Sequence, residues 1–279
     1  MAHEEFSFRT MDGLEMFSQS WLAETDSKTF ICLIHGLGEH SSRYKAVAER
    51  LTSEGFNLVG FDLRGHGRSA GARGDTPSFK AYMQDIEVFR EEVNRRYAPK
   101  NEFLYGHSLG GLLLLNYLIR QKPAVKGAIC SAAGLRTSLT QQRMKLWFVN
   151  IFGKIMPKLS IATGLDARML SHDPIVVERY RKDPLVHGVV TLRMALETLP
   201  AIQIVFDQAQ TIKVPMLILH GSADQLSYPS GSQELARMVP NNEFQLYEGL
   251  FHEIHNEPQK EEVFQTILAW LKRQLQTSR

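Results

Sequence analysis

Short β-branched or apolar runs at residues 30–34 and 56–61, with further strand candidates at 102–105, 128–132, 216–219 and 243–247, recur along this chain, and segments of helical character fill most of the gaps. A run such as Phe30-Ile31-Cys32-Leu33-Ile34 has no polar residue at alternate positions, so neither of its faces is suited to water. Runs of this kind predict parallel strands buried on both faces, with helices over about 80–96, 109–121, 230–238 and 258–275 as the covering layers. Residues 5–10 and 14–21 alternate instead and precede any helix, which predicts an antiparallel ribbon at one sheet edge.

At 279 residues and 43% hydrophobic content, the chain can bury a substantial core and fits one large domain carrying an insertion. The strand-helix rhythm stops between about residues 135 and 209, where Leu, Ile, Met, Phe and Trp gather among several proline turns. The predicted division is a core of residues 1–134 and 210–279 with a helical cap, or lid, at 135–209. Within the cap, Met144, Leu146, Trp147, Phe148, Ile151, Phe152, Ile155 and Met156 make a segment that is apolar nearly all round. Two readings follow: part of it lines a pocket for alkyl chains, or it packs the cap against the core.

Charge narrows the partners. The 32 Lys and Arg nearly cancel 30 Asp and Glu, which leaves no large field for nucleic acid or an anionic membrane and favours a small neutral molecule. The only cysteines, Cys32 and Cys130, each sit in a strand-like run, which favours buried, reduced thiols. Acids stand at Glu4 and Glu5, where a secretory leader would be basic and then apolar, and no run is long enough to span a bilayer. The expectation is a soluble, cytoplasmic protein.

Gly106-His107-Ser108-Leu109-Gly110 follows one predicted strand and opens the helical run 112–119. In that context a Gly-x-Ser-x-Gly pattern marks a nucleophile elbow, a turn that lifts the serine hydroxyl above the sheet edge. A serine hydroxyl alone is a poor nucleophile; it needs a histidine to take its proton and a carboxylate to orient that histidine. With such an elbow the acid and then the histidine follow in later loops, and Asp224 and His252 occupy the loops leaving the last two predicted strands. His255 is the rival base, but it adjoins the start of the final helix near Pro258, whereas His252 lies closer to the strand end. The backbone amides of Leu109 and Leu37 are the candidate oxyanion donors, each able to lower the barrier by about 3 to 4 kcal/mol.

The motifs resemble the monoacylglycerol lipase and lysophospholipase branch of the α/β-hydrolases almost end to end. The resemblance is carried by His35-Gly36-Leu37-Gly38-Glu39-His40-Ser41-Ser42-Arg43-Tyr44, Phe61-Asp62-Leu63-Arg64-Gly65-His66-Gly67-Arg68-Ser69, the elbow and the Asp224 loop. Asp183-Pro184-Leu185 and His252-Glu253-Ile254-His255-Asn256-Glu257-Pro258 extend it. It implies an α/β-hydrolase fold, a mostly parallel sheet with helices on both faces, and cap helices around an acyl tunnel. It also implies that Arg43, His107 and Tyr180 hold or border the glycerol end of a monoglyceride. Arg43 could instead tie its loop to a carboxylate such as Glu39, and Tyr180 could brace the cap. Asp62, Arg64, His66 and Arg68 read as a hydrogen-bonded loop scaffold, and His35 as a loop organiser.

The implied reaction is hydrolysis of monoacylglycerol to fatty acid and glycerol through an acyl-enzyme on Ser108, with no metal or organic cofactor. Alternatives are a carboxylesterase, lysophospholipase or thioesterase using the same three residues, or a non-catalytic binding protein of the same fold. An epoxide hydrolase or dehalogenase is disfavoured, because those carry a carboxylate where this chain has Ser108. The apolar cap makes transient peripheral contact with lipid a further expectation.

Overall fold

The computed structural model describes residues 1–276, apart from the side chains of Leu139, Gln141, Arg143 and Lys145. Its strands are β1 (Ala2–Arg9), β2 (Glu15–Leu22), β3 (Thr29–Ile34), β4 (Asn57–Phe61), β5 (Asn101–His107), β6 (Gly127–Ser131), β7 (Ser160–Ala162), β8 (Val189–Thr191), β9 (Met216–Gly221) and β10 (Asn242–Tyr247). Its α-helices are α1 (Lys45–Thr52), α2 (Phe79–Tyr97), α3 (Leu109–Gln121), α4 (Ser138–Gln141), α5 (Arg143–Ile155), α6 (Pro174–Lys182), α7 (Leu192–Gln208), α8 (Pro229–Met238) and α9 (Lys260–Gln276).

Eight strands form one sheet in the order β1-β2-β4-β3-β5-β6-β9-β10. The β1–β2 ribbon enters it antiparallel through β2 on β4, and the remaining neighbours run parallel. The alternating direction of side chains along each strand divides the core in two. Phe30, Cys32 and Ile34 of β3 point into one cluster with Phe89, Leu113 and Val205 from α2, α3 and α7. Ile31 and Leu33 point into the other, with Tyr44, Val47, Phe264 and Trp270 on the α1 and α9 side. All six residues of β3 are buried, as apolar strands in the middle of a doubly covered sheet must be.

Local chemistry fixes the helix starts. Ser78 accepts a hydrogen bond from the Ala81 amide at the start of α2, and Asp173 caps α6 ahead of Pro174. The sequence reading passed over α1, whose Val47, Ala48 and Leu51 form its buried face. Pro200, expected in a turn, lies inside α7. Nearby, Asn116 of α3 donates to the Ala201 carbonyl at 3.0 Å, tying the two helices together at that point.

Between β6 and β9 come α4, α5, β7, α6, β8 and α7, with β7 and β8 paired as a separate small ribbon. This excursion is stitched to loops at the carboxyl ends of the parallel strands. The Glu253 amide donates to the Leu170 carbonyl at 2.8 Å, and the His187 amide donates to the Gly38 carbonyl at 2.9 Å. Cys32 and Cys130 are buried free thiols. Among the described residues no helix is long and apolar enough to cross a membrane.

Candidate active site

The turn from β5 to α3 places Ser108 at φ 53° and ψ −116°, a left-handed conformation that costs a side-chain-bearing residue on the order of 1–3 kcal/mol. Close packing enforces it. A Cβ on Gly106 would stand 2.4 Å from the Gly110 carbonyl oxygen, and one on Gly110 would stand 2.0 Å from the Ile34 carbonyl oxygen, so only glycine lets strand and helix meet here. The Ser108 amide donates to the Ser131 carbonyl at 3.0 Å, while the Ser108 carbonyl accepts from the Leu112 and Gly134 amides at 3.1 and 3.0 Å. With its backbone committed on both sides, the residue can project its hydroxyl only into the space above the sheet.

That space is a cavity of about 500 Å³ whose walls include Ser108, Leu37, Leu109, His107, Tyr180 and His252. The amides of Leu37 and Leu109 donate to no other group among the described residues, and Leu109 begins α3. Free amides at a helix start attract negative charge. Leu112, Met169, Leu170, Met194, Ile202 and Leu226 make much of the remaining wall apolar.

Asp224, in the loop after β9, accepts from His252 Nδ1 at 2.6 Å and from His220 Nε2 at 3.0 Å on one oxygen. Its other oxygen accepts from the amides of Leu226 and Ser227 at 2.8 and 3.0 Å. Burial opposes the carboxylate, but the adjacent His252 charge and the hydrogen bonds from His220 and His252 hold it ionised well below the usual carboxylate range. His220 is fixed in turn by Ser232, 2.7 Å from its Nδ1. At His252 burial again opposes charge, yet Asp224 raises its pKa above the ordinary histidine value, with smaller help from Glu253 and Glu39. The Nδ1 hydrogen bond leaves Nε2 as the nitrogen free to exchange a proton.

The rival His255 sits in a single 3-10 turn, stacked on Tyr44 at 4.8 Å between ring centroids, and neither of its ring nitrogens has a partner among the described residues. Burial takes its pKa down to about 4. His107 packs its ring against His252 at 4.8 Å and is held neutral by burial.

Three placements depart from expectation. Arg43 is not part of the cavity wall, because its guanidinium is taken up by Glu39 and Glu253. The apolar segment of α5 turns outward: Met144 is 85% exposed and Trp147 63%, and none of that segment's residues reaches the cavity. Its inner side packs on α7 through Val149, Leu192 and Ala195, and the apolar wall comes instead from α7, residues 165–170, Leu112 and Leu226. Finally, His220 and Glu253 support the site without having been singled out from the sequence, whereas the Arg43–Glu39 contact is the alternative weighed there. Glu39 and Glu253 stand inside the conspicuous motifs, and His220 four residues before Asp224.

The loop scaffold lies to one side. Asp62 accepts from the Ser41 and Arg68 amides, Arg64 pairs with Asp85 at 2.6 Å, and His35 bridges the Gly36 carbonyl and the Leu63 amide. None of these groups needs to touch a substrate to be accounted for.

The family model described as "Serine aminopeptidase, S33" matches residues 25–259. The chain belongs to this family. Among its relatives, it is 28% identical over 270 residues to the monoacylglycerol lipase of Mycolicibacterium smegmatis, covering 96% of each chain. It is 33% identical to an uncharacterized abhydrolase domain-containing protein of Dictyostelium discoideum, but spans only 29% of that protein's length. The crystal structure of Paleococcus ferrophilus monoacylglycerol lipase is 32% identical, with a TM-score of 0.82 over 98% of this chain and 100% of that one. The fold is the α/β-hydrolase fold.

The Asp224–His252 contact carries a direct consequence. Replacing Asp224 with Asn removes the charge that favours the imidazolium, so the His252 pKa falls. An NMR titration of the His252 ring in the two proteins checks this, and an unchanged midpoint would show that Asp224 does not govern the histidine.

Proposed function

We propose that this chain is a serine esterase that hydrolyses monoacylglycerol to fatty acid and glycerol, with Ser108 as nucleophile, His252 as general base and Asp224 as the orienting acid. The observation that carries this reading is one cavity shared by a hydroxyl on a strained turn and an imidazole locked 2.6 Å from a buried carboxylate. In the proposed cycle His252 Nε2 takes the Ser108 proton as the oxygen attacks the ester carbonyl. The new oxyanion is received by the amides of Leu37 and Leu109, and the imidazolium then protonates the departing alcohol. Water activated by the same histidine releases the fatty acid.

Substrate class follows from the shape and polarity of the space. A volume of about 500 Å³ with a largely apolar lining suits an acyl chain, each buried methylene contributing about 0.8 kcal/mol before ordering costs. Tyr180 and His107 line the same cavity as Ser108 and are the groups we assign to the glycerol. Arg43 is left out of that assignment because its donors are already engaged. The relatives named monoacylglycerol lipase support the same substrate. In this reading residues 135–209 act as the cap over a core of 1–134 and 210–279. The buried thiols support a reducing, cytoplasmic setting.

We also propose that α5 touches lipid aggregates transiently. Met144, Trp147, Ile151, Ile155 and Met156 of this segment are all exposed, more apolar surface than a helix needs to pack on one side.

Three experiments test these readings. Ser108→Ala should lower hydrolysis of monoglycerides by at least about 10⁴-fold and abolish fluorophosphonate labelling. A panel of monoglycerides, lysophospholipids, acyl thioesters and p-nitrophenyl esters should rank the long-chain monoglycerides first. Labelling that persists in the variant would remove Ser108 from the chemistry, and a preference for short simple esters would overturn the substrate. Separately, Trp147→Ser should weaken co-sedimentation with phosphatidylcholine vesicles, and a wild-type chain that stays in the supernatant would exclude the lipid contact.

A further inference from the structure

Glu39, Arg43 and Glu253 form a buried charged trio beside the cavity, with side chains 4%, 8% and 2% exposed, and the cycle described above uses none of them. Arg43 Nη2 donates to both oxygens of Glu253 at 2.6 Å, and its Nε donates to Glu39 Oε2 at 3.2 Å. The other Glu39 oxygen accepts from the Gly36 amide at 2.6 Å and the Tyr44 hydroxyl at 2.8 Å. Burial, and then the neighbouring Glu253 charge, push the Glu39 pKa above the ordinary carboxylate value, and Arg43 with the Gly36 and Tyr44 donors oppose them. Every contact on Glu39 is made by a donor, which favours the carboxylate, and with Glu39 ionised the trio holds two negative charges against one positive. Its guanidinium also lies over the Tyr180 ring, 4.7 Å from the centroid.

One cation therefore joins three separate pieces of the site: the loop carrying the Leu37 amide, the loop carrying His252, and α6. Burying three charges is a poor way to gain stability, since well-packed apolar side chains often hold such elements as firmly. Function accounts better for their presence. The groups facing His252 are Asp224, bonded to it, the His107 ring at 4.8 Å, and Glu253, the next residue, with Glu39, Arg43 and His255 beyond. His220 bears on it through Asp224. Burial keeps His107 and His255 neutral, so the charges near His252 are Asp224 and the trio.

We propose that Glu39, Arg43 and Glu253 are a positioning clamp, which fixes the Leu37 amide relative to His252 and turns one surplus negative charge towards the imidazolium formed during proton transfer. The clamp rests on the esterase reading. Burial works against the His252 charge, Asp224 favours it most, and Glu253 and Glu39 add in the same direction. Arg43 suits the task because its planar fork engages two carboxylates at set angles, as a lysine ammonium would not.

The test measures kcat and KM of the full chain on a p-nitrophenyl ester across pH, with thermal melts, for the wild type, Glu253→Gln and Arg43→Lys. Glu253→Gln should lower kcat about tenfold with KM changed less than about twofold, because transition-state and not ground-state contacts are lost. It should also move the acidic limb of kcat/KM to lower pH, since the imidazolium loses a facing charge. Arg43→Lys keeps the charge and loses the fork, so kcat falls while the limb stays in place. A folded Glu253→Gln protein with the wild-type kcat and limb overturns the clamp. Should that variant fail to fold, Arg43→Lys decides, and wild-type kcat in it overturns the clamp as well. A wild-type chain that neither turns over the ester nor takes a fluorophosphonate label overturns the esterase reading itself, and the clamp with it.

Discussion

The backbone turn at Ser108 is the constraint on which the remainder of the site depends. Its left-handed φ is unfavourable for a serine and survives because strand, helix and the Ile34 carbonyl are pressed together around two glycines. Relaxing the turn would push α3 off the sheet, where its buried face meets β5 and α7. Core packing thus supplies the energy that keeps one hydroxyl and one free amide, that of Leu109, at the mouth of the cavity.

A second layer of organisation comes from the excursion between β6 and β9. It is bonded to two loops that border the cavity: to the His252 loop through the Leu170 and Met169 carbonyls, and to the loop beginning at Gly36 through His187 and through the His40–Asp183 pair at 2.9 Å. Glu257 adds to this, accepting from the Phe251 and His172 amides at 2.6 and 2.7 Å. Residues 165–188 are in this sense part of the site's frame. The outward apolar surface belongs instead to α5, which meets the frame through α7. One inserted segment therefore has two characters, a bonded inner half and an oily outer one.

Most of the fold was legible because the central parallel strands leave a strong signature, short and mostly apolar segments separated by helix-length gaps, while the edge strand β10 alternates polar and apolar residues. The edge ribbon was legible through its alternation, and the sharp strand-to-helix turn through its glycines. What escaped has physical reasons. α1 starts without a side-chain cap, directly after a polar stretch, so nothing marks its beginning. Pro200 was read as a turn because sequence shows a missing donor but not whether neighbours tolerate its loss. The α5 segment was legible as apolar, yet periodicity cannot say which side its neighbours cover. The Arg43–Glu253 pair spans 210 residues, and only the closed sheet brings its members together. The juxtaposition of Asp224 and His252 was easier, since adjacent parallel strands deliver their following loops to the same edge.

The proposed esterase chemistry requires the Ser108 hydroxyl, the His252 ring and the amides of Leu37 and Leu109 to converge on one reacting centre. A crystal structure of the chain after reaction with an alkyl phosphonate, whose tetrahedral phosphorus stands in for the attacked carbonyl carbon, tests this most directly. The predicted adduct has phosphorus bonded to Ser108 Oγ and its free oxygen about 3 Å from both amides, with the alkyl chain running along Leu112, Met194 and Ile202. An adduct on another residue, or an oxygen turned away from both amides, would contradict the account.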